Sequence, residues 1–287
     1  MQTLDNFLDQ AWNDHAEQPA AVAERLPVAL PWAQDEDGVL RLAALAHHVL
    51  GEHLGRWQEG LGYLEQVAQR GMHGAAGTAA LARCQASLRL CAELADERAA
   101  MTPSDQCRVS AMAACNLAAF DTARAATLLW DAEARAAALP DTDPGVRSLA
   151  ANSNGIAGTL QALKQLTPPQ RALMLRAAQE ARVQWERAGT WLEVERAEYR
   201  LARCWLAAGD AARSMEHALR CEAIVLEHGA PALELFFGAE ALALSARALA
   251  DIARAAAALA SARQAFQGLA ASDQDWCRVT LDQLNAH

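Results

Sequence analysis

The feature that most constrains this chain is a helical hairpin that recurs at a spacing of about 40 residues. From Trp191 to Leu206, apolar side chains recur at spacings of three and four, as they do in an amphipathic helix. Gly209 can end this helix in the left-handed conformation, and the Asp210 carboxylate can cap a second helix, which stops at Gly229. The stretch therefore predicts two antiparallel helices joined by a tight turn.

The next segment of the chain repeats this scheme. Asp251 follows Asp210 by 41 residues. The tetrapeptide Leu-Ala-Arg-Cys occurs at 81–84 and again at 201–204, which is three intervals of 40 residues. Self-similarity of this length is typical of helix-pair arrays, in which each pair buries its apolar face against its neighbours.

The repeated motif resembles the tetratricopeptide repeat. That family has a small-residue pair, an aromatic, a Gly-acidic turn and later small residues at the spacings of Leu201-Ala202, Trp205, Gly209-Asp210, Ser214, Ala218 and Cys221. Weaker likenesses occur at 55–67 and 120–123, although the spacing exceeds the usual length of about 34 residues and no proline follows Cys221 where the family has one. The resemblance implies an all-α, right-handed α-solenoid of antiparallel helix pairs, with about 12–14 helices.

Breaks in the periodic pattern divide the chain into three parts. We predict an N-terminal helical cap at 1–38, a tetratricopeptide-like repeat array at 39–269 and a C-terminal capping helix at 270–287, since arrays need polar ends. Pro27 is expected to break the second helix of the cap, because proline lacks the N–H that a helix interior requires. Within the array, four of the predicted helices lie at 39–54, 57–70, 78–90 and 91–101.

Composition supports the all-α prediction and argues against several partners. The 287 residues are rich in Ala, Leu, Arg, Glu and Gln, which favour helices, and they show no alternating strand pattern. The net charge of −10 would repel a nucleic acid, and the Arg residues are interleaved with acids. No uncharged run reaches the roughly 18 apolar residues of a membrane span. We therefore expect neither a nucleic-acid nor a membrane partner.

Cysteine usage and the first residues indicate a cytoplasmic protein. The seven cysteines form no Cys-x-x-Cys pair and fall on apolar helical faces, which predicts reduced thiols in the core. Residues 1–5 lack the basic and apolar regions of a signal peptide. Both observations favour the cytoplasm.

One histidine cluster, His47-His48-x-x-x-Glu52-His53, invites a metal hypothesis. The helical zinc pattern has three residues between its two histidines, whereas four separate His48 from His53. In an α-helix that step of five turns the second side chain about 140° away from the first, so a shared metal is disfavoured. His48 and Glu52 lie one turn apart and could bind an ion with help from elsewhere. The alternative is that the histidines pack or face solvent, and we predict no metal site.

No motif for nucleophilic, phosphate-loop or dinucleotide chemistry is present. The chain has no Gly-x-Ser-x-Gly, no phosphate-binding Gly-Lys loop and no Gly-x-Gly-x-x-Gly fingerprint. We therefore predict a protein that is not an enzyme and that binds no cofactor. A metal-dependent enzyme built on His48 and Glu52 remains the third hypothesis.

The resemblance implies that the first helix of each pair lines a concave, partner-binding groove. The groove residues that it implies are Asn152, Asn154, Thr159, Arg196, Tyr199, Arg203, Phe237, Glu240 and Arg247. Arginines beside an asparagine and an aromatic ring can clamp a peptide carboxylate or backbone. Trp276, near the final helix, is a further candidate contact residue, because an indole suits an interface.

Three readings of this groove stay open. The first is a scaffold or regulator that binds a protein or peptide, and the second is a sensor that closes around a small molecule or peptide signal. The third is structural, with Arg196, Arg203 and Arg247 pairing only with neighbouring glutamates. The alanine-rich face at 253–260 leaves a homodimer open as well.

Overall fold

The computed structural model describes residues 3–71 and 74–286, and these residues form an all-α fold. The all-α prediction is confirmed. Met1 and Gln2 of the predicted cap and His287 of the predicted final helix lie outside the described residues. None of the helices in the described ranges combines the length and the apolar character that crossing a lipid bilayer demands.

The described residues contain fourteen α-helices, within the predicted range of about 12–14. The first seven are α1 (Leu4–Asp14), α2 (Pro19–Ala29), α3 (Glu36–Ala46), α4 (Trp57–Gln69), α5 (Ala75–Cys91), α6 (Pro103–Leu117) and α7 (Thr122–Ala136). The others are α8 (Pro144–Gln161), α9 (Pro168–Ala188), α10 (Trp191–Ala207), α11 (Ala211–His228), α12 (Ala232–Ala248), α13 (Ile252–Gln267) and α14 (Ala271–Asn285). Short 3₁₀ turns lie at Leu30–Trp32 and Arg98–Ala100, and a π-helix at His47–His53 joins α3 to the loop before α4.

The chain divides into two compact units, with the boundary inside α8 between Asn152 and Ser153. The first unit contains a hydrophobic core that runs from Phe7 to Leu88, and the second contains one that runs from Ala202 to Leu284. The predicted division into a cap, an array and a capping helix was drawn from pattern breaks and stays a prediction.

The second unit contains the two hairpins that the sequence indicates. Helix α10 packs on α11, and α12 packs on α13; the first helices α10 and α12 also contact each other. Asp210 accepts a hydrogen bond from the Arg213 N–H at 3.0 Å, and Asp251 accepts one from the Arg254 N–H at the same distance. In the first unit α4, α5, α6 and α7 likewise pack in sequence order. The prediction that consecutive helices pack against one another is therefore confirmed.

One predicted helix, at 91–101, is wrong. Helix α5 continues to Cys91, after which Glu93 adopts a left-handed conformation with φ 59°, and only a 3₁₀ turn forms later. The Asp96 carboxylate accepts the backbone N–H of Arg98 at 3.0 Å, and the Arg98 guanidinium binds Asp131 at 2.6 Å. These side-chain contacts hold the segment in a non-helical path despite its helix-forming composition.

Pro27 does not break its helix, contrary to the expectation. It lies inside α2, which ends two residues later at Ala29. The missing N–H therefore affects only the final turn, where the helix is about to pass into the Leu30–Trp32 turn.

The segment at His47–His53 departs from the predicted α-helix in a way that changes the metal hypothesis. It is a π-helix, and the Leu54 N–H donates to the Val49 carbonyl, five residues back, at 3.1 Å. This wider ring brings side chains five residues apart near one another. The Nε2 atoms of His48 and His53 lie only 3.0 Å apart. The inference that these two histidines point in different directions is therefore wrong.

Candidate functional site

The strongest candidate site lies in the second unit, where α10 faces α12. Spacings of three and four residues place side chains on one face of each helix. On α10 these are Arg196, Tyr199, Arg200 and Arg203, and on α12 they are Glu234, Phe237 and Glu240.

A buried hydrogen-bonded cluster fixes the inner end of this face. Tyr199 donates its hydroxyl hydrogen to Glu240 at 2.7 Å, and the Arg203 guanidinium donates to the Tyr199 oxygen at 2.9 Å and also to Glu240. Glu240 is only 4 % exposed, so its charge depends on these partners. Burial and then the neighbouring Glu240 carboxylate raise the pKa of Tyr199, which stays a hydrogen-bond donor.

The outer end of the face carries a more accessible ion pair. Arg196 donates to Glu234 at 2.6 Å, yet 57 % of the Arg196 side chain is exposed while Glu234 is buried. A guanidinium has five N–H donors in a planar fork, so it can hold Glu234 and still face a ligand.

Aromatic rings line one side of the same face. The Phe237 ring lies 5.5 Å from Tyr199 and 5.3 Å from Trp276 of α14, measured between ring centroids. Both separations are typical of stabilising aromatic pairs. Trp276 is 64 % exposed, so an apolar surface is presented to solvent here.

Helix α8 supplies the opposite side through its contacts with Arg200. The Arg200 guanidinium donates to Gln161 at 2.7 Å and to the Asn154 side-chain oxygen at 3.4 Å. A Cβ atom at Gly158 would lie 3.4 Å from the guanidinium carbon, so a residue without a side chain suits this close approach.

These elements enclose a pocket of about 510 Å³. Its lining residues are Asn154, Glu195, Arg196, Tyr199, Arg200, Leu233, Glu234, Phe237 and Trp276. The pocket thus combines aromatic and aliphatic surface with two guanidinium groups and an amide. Such a lining can hold an apolar side chain and a carboxylate of the same ligand.

Glu195 is an acid in this pocket without a close basic partner in the recorded contacts. It is 1 % exposed, and its carboxylate accepts a hydrogen bond from the Cys221 thiol at 2.9 Å. Burial raises the pKa of Glu195 to about 7, and the Cys221 hydrogen bond opposes the rise; Glu234 adds to it and Arg196 lowers it. The carboxyl group is therefore close to half-protonated at neutral pH.

The structure brings together four of the nine predicted groove residues. Asn154, Arg196, Tyr199 and Phe237 line the pocket. Arg203 and Glu240 lie next to it in the buried cluster with Tyr199. These six residues share one region, while their role in binding a partner stays a prediction.

The other three predicted residues lie elsewhere. Arg247 donates to the Leu284 carbonyl of α14, and Asn152 donates its amide to the Ser148 carbonyl within α8 at 2.8 Å. Thr159 is half-buried on α8 and does not line the pocket. The alternative that Arg196 and Arg203 pair with glutamates matches the contacts in part, since both do so, with Glu234 and Glu240.

Sequence reasoning missed two residues of the pocket, Arg200 and Glu234. Arg200 is four residues after Arg196 and three before Arg203, so helical spacing alone places it on the same face. Glu234 lies 38 residues after Arg196, within the repeat interval, but nothing in the sequence singles out this glutamate from its neighbours.

A second cluster of functional side chains lies in the first unit. One ring nitrogen from each of His15, His48 and His53 lies within 4.8 Å of those of the other two, and in the described residues no other group of this kind is found. His47 belongs to the core instead, with its Nε2 2.7 Å from Ser87 Oγ and 3.2 Å from Asn116 Nδ2.

The cysteines offer no competing reactive site. All seven are free thiols, and six of them are buried. Burial raises the pKa of Cys84 to about 11 and that of Cys91 to about 12, so neither forms a thiolate near neutral pH. This agrees with the interpretation of these residues as packing groups.

Comparisons with protein-family models, with curated proteins and with solved structures find no match to this chain.

Proposed function

We propose that this chain is a tetratricopeptide-like, right-handed helical-repeat protein that binds a segment of a partner protein or a peptide in the α10–α12 pocket. On this proposal it acts by binding and has no catalytic role. The support for the repeat type is the equal spacing of the Asp210 and Asp251 caps together with the contact between α10 and α12.

The observation that carries the binding proposal is the convergence of aromatic and guanidinium groups between the first helices of two adjacent hairpins. Trp276 and Phe237 offer an exposed apolar wall, and Arg196 and Arg200 lie across the pocket from α8 and α10. The matching ligand is an extended segment with one apolar side chain and one carboxylate, from an acidic residue or a chain terminus.

The pocket can be tested with peptides selected from a display library against the full chain. Dissociation constants of the selected peptides are then measured by fluorescence anisotropy. We expect Trp276→Ala and Arg196→Ala each to weaken binding by about tenfold or more, since central aromatic and Arg contacts dominate interface energies. Removing the carboxylate from the peptide should weaken binding to the wild-type chain and matter little for Arg196→Ala.

Two matched substitutions control for general effects. Arg213 of α11 has the same side-chain exposure as Arg196, 57 %, and Trp130 of α7 is 58 % exposed. Arg213→Ala and Trp130→Ala should leave the dissociation constants within about twofold, the size of ordinary surface effects. Equal affinity of the selected peptides for Trp276→Ala and for the wild type would contradict the assignment of the pocket.

The same pocket supports a second candidate, a sensor of a small-molecule signal. Its volume of about 510 Å³ is typical of small-ligand sites, and Glu195 offers it a buried acid with a pKa of about 7. A thermal-shift screen of metabolites decides in favour of this candidate if a compound raises the melting temperature of the wild type and not of Trp276→Ala. A screen without such a compound, together with selected peptides, favours the first candidate.

A further inference from the structure

We propose that His15, His48 and His53 bind a divalent transition-metal ion of the Zn²⁺ type in the first unit. Imidazole nitrogen is a preferred ligand of such ions, and three histidines with one open position form a common zinc arrangement. This site shares no residue with the α10–α12 pocket, so the proposal does not depend on the function proposed for that pocket.

The distances within the cluster are close to those that a metal requires. The His48 and His53 Nε2 atoms are 3.0 Å apart, and all three ligand nitrogens lie within 4.8 Å of one another. In a tetrahedral zinc site with bonds of 2.0–2.1 Å, ligand nitrogens are about 3.3 Å apart. A small rotation of the rings is enough to close the triangle around an ion.

Hydrogen bonds to Nδ1 orient two of the three rings. His15 Nδ1 lies 2.6 Å from the Trp12 carbonyl, and His48 Nδ1 lies 2.7 Å from the Glu52 carboxylate. A carbonyl and a carboxylate can only accept, so both Nδ1 atoms carry the hydrogen and both Nε2 atoms carry the lone pair. Metal-binding histidines are held by such partners, which fix the tautomer and strengthen the ligand.

The π-helix is the backbone feature that makes this cluster possible. With α-helical geometry, His48 and His53 would diverge, whereas the wider ring of the π-helix directs both toward His15 at the end of α1. The three ring centroids are then 4.6–5.2 Å apart. Isolated π-turns often occur at functional sites, and here the consequence of the turn is the approach of two ligands.

The surroundings differ from those of an ordinary packed histidine. Neighbouring His47 has protein partners on its inner side, at Ser87 and Asn116. In contrast, the closest neighbour of His53 Nε2 is another imidazole nitrogen, His48 Nε2. All three rings of the cluster are half-buried, so solvent can reach the ion and a water molecule or an external ligand can take the fourth position.

The test uses the untagged full chain, freed of metal with a chelator and dialysed. Zn²⁺ is added, and the bound metal is measured by elemental analysis and by titration calorimetry; Co²⁺ serves as a spectroscopic probe. We expect one ion per chain, a four-coordinate Co²⁺ absorption spectrum that Zn²⁺ abolishes, and a higher melting temperature with Zn²⁺. The higher melting temperature follows because the ion joins α1 to the π-helix.

Substitutions assign the ligands. His15→Gln, His48→Gln and His53→Gln should each weaken Zn²⁺ binding by about 100-fold or more, and Glu52→Gln should weaken it by about 10–100-fold, as partners of ligating histidines do. His228→Gln is the control, since His228 is exposed and stacks on Trp191 in the second unit. Circular dichroism of each variant establishes that its helices are intact.

Two results would overturn the proposal. One is a six-coordinate Co²⁺ spectrum of the wild-type chain, which decides the matter even if a variant fails to fold. The other is Zn²⁺ binding that is equally strong in the wild type, His15→Gln and His228→Gln, since the ion would then lie elsewhere.

Discussion

Glu195 shows how a single side chain can oppose the stability of its own pocket. Its carboxyl group is 1 % exposed and receives a hydrogen bond from a neutral thiol, Cys221, while Glu234 lies nearby with the same charge. Ionising it in this setting costs free energy because the protein replaces little of the lost hydration. The raised pKa, about 7, expresses that cost.

We predict that Glu195→Gln stabilises the protein above neutral pH. Between its ordinary pKa of 4.5 and about 7, the folded chain holds a proton on Glu195 that the unfolded chain has lost. Stability of the wild type therefore falls as pH rises through this window, and the loss is complete above it. The amide has no charge to bury, so the variant should gain up to about 3 kcal/mol at pH 8 and almost nothing at pH 5.

Urea unfolding at the two pH values measures this difference. Glu227→Gln, at an exposed position near the end of α11, is the control and should change stability little at either pH. A gain that is the same at pH 5 and pH 8 would contradict a role for the Glu195 charge.

At this scale the sequence predicted the type of residue better than its exact partners. Helical spacing correctly grouped Arg196, Tyr199 and Arg203, because a helix fixes which of its own residues share a face. The pairings with Glu234 and Glu240 depend on how deeply α12 packs against α10, which spacing along one helix does not contain.

Among the elements, the turns of the two second-unit hairpins have the same geometry with different residues. Asp210 N–H donates to the Trp205 carbonyl, and Asp251 N–H donates to the Ala246 carbonyl, both at 2.9 Å. The residue before each Asp is left-handed, with φ 86° at Gly209 and 58° at Ala250. Alanine is strained in this conformation and glycine is not.

We predict opposite effects of two substitutions at these equivalent positions. Ala250→Gly should stabilise the protein by about 0.5–1 kcal/mol, because relief of the left-handed strain exceeds the added flexibility of the unfolded chain. Gly209→Ala should destabilise it by about 1 kcal/mol, although a Cβ there meets no atom within 4 Å. Urea unfolding of both variants checks the pair, and equal signs would contradict the backbone explanation.

The π-helix could not be predicted from the sequence. Residues 39–54 show ordinary helical periodicity, and a single extra residue per turn alters that pattern too little to detect. The signal that was present is Gly51, whose missing side chain lets the segment approach Asn116 and Leu88; a Cβ there would lie 3.0 Å from both. Only these contacts with α5 and α6 make the position meaningful.

For the whole molecule, the division into two units has a direct thermodynamic consequence. The second unit has its own core, which includes Phe236 and Phe266, and its own pocket. Units with separate cores can in general fold separately. The interval of 41 residues predicted the hairpin packing but gave no indication of a boundary within α8, since a single helix shows no break there.

We predict that a fragment of residues 144–287 folds without the rest of the chain. It retains all of α8 and the complete second unit, so its buried side chains keep their neighbours within that unit. Circular dichroism should show a helical spectrum and a cooperative thermal transition. A gradual transition without a plateau would contradict the independence of this unit.

A shorter fragment, 168–287, provides the comparison. It lacks α8 and with it Asn154 and Gln161, the hydrogen-bond partners of Arg200. Arg200 would lose both acceptors, and the pocket would lose one side. This fragment should therefore melt at a lower temperature than 144–287 and bind the selected peptides less tightly.

The paired charges between α10 and α12 make the two hairpins non-interchangeable. Each of two glutamates on α12 accepts an arginine of α10 at one matching height, Glu234 at Arg196 and Glu240 at Arg203. Sliding one hairpin by a helical turn, or replacing it with a copy that lacks these residues, would strand an ionised group away from water. The junction consequently works as a key that selects one neighbour and one alignment, which greasy surfaces alone would not enforce.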